Sequence, residues 1–334
     1  MRLNLKDGSG IIVLLGILLI AAILASLSFG RYPIPIGAMI ARFFGAGSFD
    51  TPRMEAVLFN VRLPRILLSC LVGASLAAAG AAYQGVFQNP LAAPDILGAS
   101  SGAATGATLA ILLRLSGPMI MIFAFTASLL TIGLVMLIGE RVRGKKILGL
   151  ILAGFMISSL NNAAISFMKL LADPNNVLPE IIYWLMGSLA KAKPSDLFFA
   201  VIPIALGLAP LFIFRWRINL LTLNEDEAQS MGVNVRRIRW IVIFGSTLIT
   251  AAAVSVSGVI GWAGLVIPHL TRRFVGNDYQ YLMPASMMFG GLFLLIIDDI
   301  SRNLFATEIP LGILTSLAGA PFFLWLITRK GDLW

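Results

Sequence analysis

Ten stretches of this chain run apolar and nearly free of charge, most of them for the thickness of a bilayer, and this pattern constrains the fold more than any other. They lie near Gly10–Phe29, Ile66–Val86, Ile96–Leu113, Met119–Gly139, Ile147–Leu171, Leu197–Phe214, Trp240–Val256, Val259–Pro268, Leu282–Ile297 and Ile309–Ile327. About 20 helical residues cross roughly 30 Å of hydrocarbon, and the first stretch alone gives 20 residues without a charge. That is too long for the apolar core of a typical cleaved leader, so it reads as a retained helix. Within lipid each backbone N–H and C=O must be satisfied by the chain itself, which restricts spanning segments to helices or a closed barrel. The expectation is an all-α polytopic membrane protein of about ten transmembrane helices, a single domain over residues 1–334. A composition 58% hydrophobic and only 12% charged excludes a pair of soluble domains of the same length.

The net charge of +9 would suggest nucleic acid in a soluble protein, but its placement gives another reason. With the N-terminus inside, 15 of the 25 Lys and Arg fall in inner segments, among them Arg141, Arg143, Arg236, Arg237, Arg239, Arg272 and Arg273. Short loops of membrane proteins are basic on the cytoplasmic side. Both termini therefore read as cytoplasmic, in a cell membrane. One long outer loop breaks the rule with Arg31, Arg42, Arg53, Arg62 and Arg65. The single cysteine, Cys70, excludes an internal disulfide.

Two features depart from plain spans. The segment Gly258–Leu270, GVIGWAGLVIPHL, is short and punctuated by Gly, Pro and His, as expected of broken helices packed in protein rather than in lipid. Small residues recur every fourth position at Gly73, Ala77, Ala81 and Gly85, and again at Gly98, Gly102 and Gly106. Such stripes let helix backbones approach closely, either inside one bundle or at a subunit or pathway face.

Chemistry-bearing motifs are few. Gly139–Lys146 nearly matches the phosphate-cradling loop GxxxxGK[ST], but Lys146 replaces the hydroxyl residue and no strand precedes it. It reads as a basic inner loop, and the chain has no nucleotide site of its own. His269 is the only histidine and lacks a Cys/His/carboxylate cluster, so no catalytic residue, cofactor or metal site is expected. Asp298 and Asp299 close an apolar run with Arg302 beyond them, which reads either as a functional charge group or as a local ion pair at the interface. A proton- or sodium-coupled carrier would bury more coordinating groups at mid-membrane, and an intramembrane enzyme would need a nucleophile or metal set. Ser158, Ser159, Asn161 and Asn162 give the fifth span a neutral polar patch, which either lines a pathway or bonds neighbouring helices. The longest inner loop, about 215–239, holds LLTLNEDEAQSMGVNV. Asn224 suits a helix cap, Glu225, Asp226 and Glu227 its first turn, and Gly232 its end, giving a short cytoplasmic helix that is either a connector or a partner-docking element.

Taken in order, a set of motifs resembles the permeases of iron–siderophore and vitamin B12 ABC importers, the FecCD type. They are Arg62-Leu-Pro-Arg65, Gly73–Gly80, Gln84, Gln88–Gly98, Tyr183–Leu189, Asn224–Gly232, Gly258–His269, Arg272, Pro284, Asp299, Arg302, Glu308–Gly312 and Gly319–Phe323. The resemblance covers about Val61 to Ile327, with Trp262 standing where Phe is commoner. It implies the type II ABC importer permease fold and a transport subunit rather than an enzyme. It implies a second permease subunit, identical or not, around a central pathway, a cytoplasmic ATPase dimer, and an extracytoplasmic binding protein that delivers the cargo. The cargo it implies is an iron-siderophore-type chelate, with cobalamin, haem or an oxyanion as alternatives. It implies ATPase coupling through Asn224, Glu225, Asp226, Glu227, Ala228 and Gly232, an inner gate near Gln88, Asn89, Pro90 and Leu91, with Ser158, Asn161 and Asn162 taken with the pathway, and outward-facing Arg62, Arg65 and Arg302 that dock the binding protein.

Overall fold

A computed structural model describes residues 8–30, 32, 35, 37, 52–142, 146–222 and 225–328. Asn224, Arg31, Arg42, residues 143–145 of the loop resembling a phosphate cradle, and both termini lie outside the described residues, and for Glu225 and Asp226 only the backbone is described.

The described chain is helical: α1 (Gly8–Ser28), α2 (Pro52–Val57), a π-helical turn (Leu58–Arg62), α3 (Leu63–Val86), a 3-10 turn (Pro94–Leu97), α4 (Ala99–Leu112), α5 (Gly117–Arg141), α6 (Lys146–Leu171) and α7 (Val177–Leu185). Then come α8 (Pro194–Ile213), α9 (Arg215–Leu221), α10 (Glu225–Ser230), α11 (Val235–Ser257), α12 (Ala263–Val275), α13 (Tyr279–Asn303) and α14 (Leu311–Thr328). Seven helices are long and apolar enough to cross a membrane, and α4 and α14 are shorter apolar helices. Each of the ten expected spans corresponds to a helix. One boundary is corrected: residues 258–262 are not helical, and the expected span Val259–Pro268 is instead α12, which begins at Ala263 and runs past Pro268 to Val275. Gly258 turns left-handed at φ +69° and ends α11, a conformation that glycine alone adopts cheaply.

The bundle is layered by burial. In α3, 78% of the most apolar window is buried, against 17% in α1, so α3 is the axis and α1 lies at the rim. Helices α11, α12 and α13 pack on α3. The small-residue stripes explain how. A Cβ on Gly73 would overlap the Gly290 carbonyl, and one on Gly80 would overlap the Gly264 carbonyl. Pro268 lacks the N–H that would normally bond the Gly264 carbonyl, which leaves that oxygen facing α3. On α4, Gly102 and Gly106 meet Thr131 and the Phe123 carbonyl of α5. The stripes thus resolve as close packing inside one bundle, the arrangement small residues permit in lipid.

Candidate functional site: a helical pathway with a linkage at each end

Helix α3 carries a site at either end. Its 24 residues rise about 36 Å, enough to span hydrocarbon, so the groups flanking it lie at opposite ends of the bundle.

At the first end, the turn after α3 meets the long loop. Gln88 sits at φ +49°, an uncommon conformation for a non-glycine residue. There its Nε2 donates to the Leu221 carbonyl at 2.8 Å, at the end of α9. The turn continues with Asn89, whose N donates to the Gln84 carbonyl at 3.2 Å. The Asn89 Oδ1 accepts from Leu91 N at 2.9 Å, and Pro90 is held between them. Helix α9 is also fastened to α13. Asn219 Nδ2 donates to Asp278 Oδ1 at 2.8 Å, and Tyr279 N donates to Asn219 Oδ1 at 2.9 Å. Gly85 leaves room for Ile218 and the Tyr279 hydroxyl. Sequence reasoning missed Asn219 and Leu221, since one is a lone amide and the other acts through its backbone.

Helix α10 forms where the acidic run suggested, and Gly232 follows it at φ +78° with its N bonded to the Gln229 carbonyl at 2.9 Å. Glu227 is exposed, as is Gly232. Ala228 is buried in the chain's own core, which also takes in Val235 and Ile238. Its expected role as a surface contact for a partner is therefore corrected: its side chain packs inward.

The polar patch of α6 divides between two faces. Asn161 Nδ2 donates to Ser101 Oγ at 3.2 Å and to Thr131 Oγ1 at 3.3 Å. Ser101 Oγ in turn donates to Ser158 Oγ at 3.3 Å. Ser158 and Asn161 thus tie α6 to its neighbours, and their expected place on the pathway is corrected. Asn162 is exposed, together with Ser159 and Ser166 on the same face.

At the second end, the three arginines are not a surface patch. Arg62, Arg65 and Arg302 are only 5%, 6% and 8% exposed, and the expected outward-facing rim is corrected. Arg65 Nε donates to both Asp298 oxygens at 3.0 Å, its Nη2 donates to Asp298 Oδ1 at 2.9 Å, and its Nη1 reaches Glu308 at 3.0 Å. Arg302 pairs with Asp299 and bonds Ser26 of α1. Arg62 Nη1 donates to the Leu27 carbonyl at 2.6 Å and Nη2 to the Tyr32 carbonyl at 2.8 Å. Three guanidinium groups and three carboxylates thus fasten α1, α3, α13 and the 304–310 connection. Burial drives this pairing, because a guanidinium withdrawn from water must find carboxylates or carbonyls.

Beside this cluster, three distant segments form a backbone knot. Leu311 N donates to the Gly187 carbonyl at 2.8 Å, Gly312 N to the Met186 carbonyl at 3.0 Å, and Ser188 N to the Ser257 carbonyl at 2.7 Å. Gly187 is left-handed at φ +71°, and side chains on Gly187, Gly258 or Gly312 would strike the Val259, Trp184 or Met186 carbonyls. Next to the knot lies a cavity of about 510 Å³, lined in part by Glu180, Tyr183, Ser188, Lys191, Lys193 and Asp196.

A multi-pass helical bundle whose functional contacts join loops across its two ends, rather than gathering reactive groups, defines a membrane transport subunit. The chain belongs to the FecCD transport family, which it matches over residues 18–329, and it is the permease of an ABC importer with the type II fold. It is 41% identical over 316 residues to the molybdate import system permease protein of Haemophilus influenzae, covering 92% of each chain. It is also 41% identical over 276 residues to a probable iron chelatin transport system permease protein of Helicobacter pylori, 83% of each. Among solved structures it resembles an inward-facing metal-chelate-type ABC transporter with a TM-score of 0.86, 39% identity, and coverage of 95% of this chain and 98% of that one.

Proposed function

We propose that this chain pairs with a second permease subunit to form the pathway of an importer for iron-siderophore-type metal chelates. A cytoplasmic ATPase dimer drives it through the 215–239 loop, an extracytoplasmic binding protein supplies the cargo, and both termini are cytoplasmic. The observation that carries this reading is the Gln88–Leu221 hydrogen bond, which joins the loop that receives the ATPase to the turn that gates the inner end. Displacement of α9 and α10 by nucleotide-driven closure reaches the gate without an intermediate. The exposed residues of that loop, Glu227 and Gly232, with the neighbouring Asn224, Glu225 and Asp226 of the acidic run, form the docking element. The exposed stripe Ser159, Asn162 and Ser166 supports the paired arrangement, because polar groups on a span are costly against lipid and belong against a partner or water.

The iron-chelate cargo rests on the likeness to the iron chelatin permease and to the metal-chelate transporter. The molybdate permease at equal identity supports an oxyanion as the second reading. The neutral Ser/Asn face suits either, since hydroxyl and amide groups solvate a polar cargo without holding it. Uptake into vesicles containing ATP, with candidate binding proteins and a panel of ferric siderophore, haem, cobalamin and molybdate, decides between them. ATP-dependent uptake of molybdate alone would overturn the chelate reading, and no uptake of any cargo with a functioning ATPase would overturn the importer reading.

A further inference from the structure

We propose that Glu308 is a positioning residue that ties the buried arginine–carboxylate cluster to the backbone knot at the same end of the pathway. Its place in transport rests on the importer reading above, but the linkage itself does not. Glu308 is the one carboxylate of the cluster carried by a connection rather than by a helix, and its side chain is 27% exposed while its partner Arg65 is 7% exposed. It accepts from Arg65 Nη1 at 3.0 Å. The next residue is clamped to α13 on both sides: Ser301 Oγ donates to the Ile309 carbonyl at 2.6 Å, and Ile309 N donates to the Ser301 carbonyl at 3.3 Å. Two residues further on, Leu311 and Gly312 donate to the carbonyls of Gly187 and Met186. Gly187 in turn precedes Ser188, which bonds the Ser257 carbonyl at the end of α11.

The path from Arg65 to α11 therefore runs through one carboxylate and five consecutive residues. Asp298 and Asp299 sit on α13 and hold helix to helix. Glu308 alone among the three carboxylates pulls on the start of α14, where the chain has little other freedom because Pro310 fixes its own φ. A partner that displaced Glu308 from Arg65 at the outer face would release the register of Leu311 and Gly312 against Gly187. The knot would then loosen where the cavity lined by Ser188, Lys191 and Lys193 adjoins it.

The test uses the full chain in lipid nanodiscs and amide hydrogen exchange, so it needs neither ATPase nor binding protein. Glu308→Gln keeps the size and removes the charge. Arg65→Lys approaches from the other side, keeping the charge at Asp298 while giving up the second reach to Glu308. Exchange at the Leu311 and Gly312 amides is expected to rise roughly fivefold or more in each variant, the lower end of ordinary coupling between sites. The Ser188 amide, on a different segment, is expected to rise with them, and the double variant is expected to add little to either single one. Thr307→Ala, at an exposed neighbour, is expected to leave all three amides unchanged. Faster exchange confined to residues 308–312 with Ser188 unchanged would mark local fraying and overturn the linkage, as would wild-type exchange throughout in Glu308→Gln. In the assembled transporter, wild-type uptake by Glu308→Gln would remove the linkage from transport even where exchange shows it, whereas failure of wild-type uptake would count against the importer reading instead.

Discussion

Replacing Gln88 by Met tests whether the inner turn is driven by the loop beside it. The two side chains are similar in length, and neither is glycine, so the strain of φ +49° is common to both and cancels in the comparison. What differs is one neutral amide bond to a backbone carbonyl at 2.8 Å. Gln88 is exposed, so water can satisfy the Leu221 carbonyl after the change, and the loss is the net value of a hydrogen bond, about 0.5–1.5 kcal/mol. If the bond persists only while loop and turn move together, its loss shifts that equilibrium by the same free energy, roughly two- to twelvefold. Stability should barely change, because the core beneath, built around Tyr83 and Val86, is untouched. The assay is cargo taken up per ATP hydrolysed in proteoliposomes. Hydrolysis is expected to persist, and the ratio to fall roughly two- to twelvefold. Asn219→Ala, which frees the other end of α9 from Asp278 and Tyr279, is expected to lower the same ratio. An unchanged ratio in both variants would refute transmission through α9. A collapse of hydrolysis as well as uptake would show that Gln88 acts on the ATPase contact rather than on the gate.

Three further outcomes are expected. Gly80→Ala should destabilise the protein by about 1–3 kcal/mol or more, since its Cβ would meet the Gly264 backbone and not a movable side chain. Gly133→Ala, whose Cβ meets nothing within 4 Å, should be neutral or gain about 0.5–1 kcal/mol, with thermal unfolding in detergent separating the two. Asp298→Asn should cost about 3–5 kcal/mol by stranding Arg65, and Arg65→Met with Asp298→Leu should restore most of it, measured in the same way. Asn162→Cys in a Cys70→Ser background should react with a membrane-impermeant thiol reagent in the assembled transporter, and protection from it would place that face against lipid or the partner's wall.

Fold was legible where length and periodicity decide it. Ten apolar runs became ten helices because a bilayer admits few alternatives, and the acidic run with Gly232 gave α10 because helix ends have local rules. The break before α12 was visible in its Gly and Pro residues, but its register was not. Where α12 starts depends on the knot around Gly187 and on the fit of Gly264 against Gly80, both long-range. The outer arginines were misread for a related reason. A loop in excess of the charge rule suggests a surface patch only if its charges face water, and nothing near Arg65 in sequence says that Asp298 lies across from it. Ser158 and Asn161 were likewise taken with Asn162, although on a helix adjacent residues point about 100° apart and only one of two neighbours can share a face.

Helices α3 and α13 carry both sites, which constrains how the two ends communicate. Helix α3 begins beside Arg65 and ends before Gln88, while α13 begins at Tyr279 and ends beyond Arg302. They are pinned at the first end through α9, at the second by Arg65 and Asp298, and between by Gly73 against Gly290, where each Cβ would overlap the other's backbone. Three such fastenings leave no room for sliding, because a shift of one residue would drive a larger side chain into a space sized for glycine. The pair is therefore expected to move as one body, so that alternation occurs at its borders with α6 and α14, whose outward faces are less occupied by this chain. Spin labels on Phe274, after α12 turns away, and on Leu160 of α6 are both exposed and span such a border. Their separation is expected to differ between nucleotide-free and nucleotide-trapped transporter, while labels at Tyr281 and Leu91, flanking the pinned end, keep theirs. The opposite pattern, with the pinned pair separating and the border constant, would place the hinge inside the α3–α13 contact and overturn the rigid-body argument.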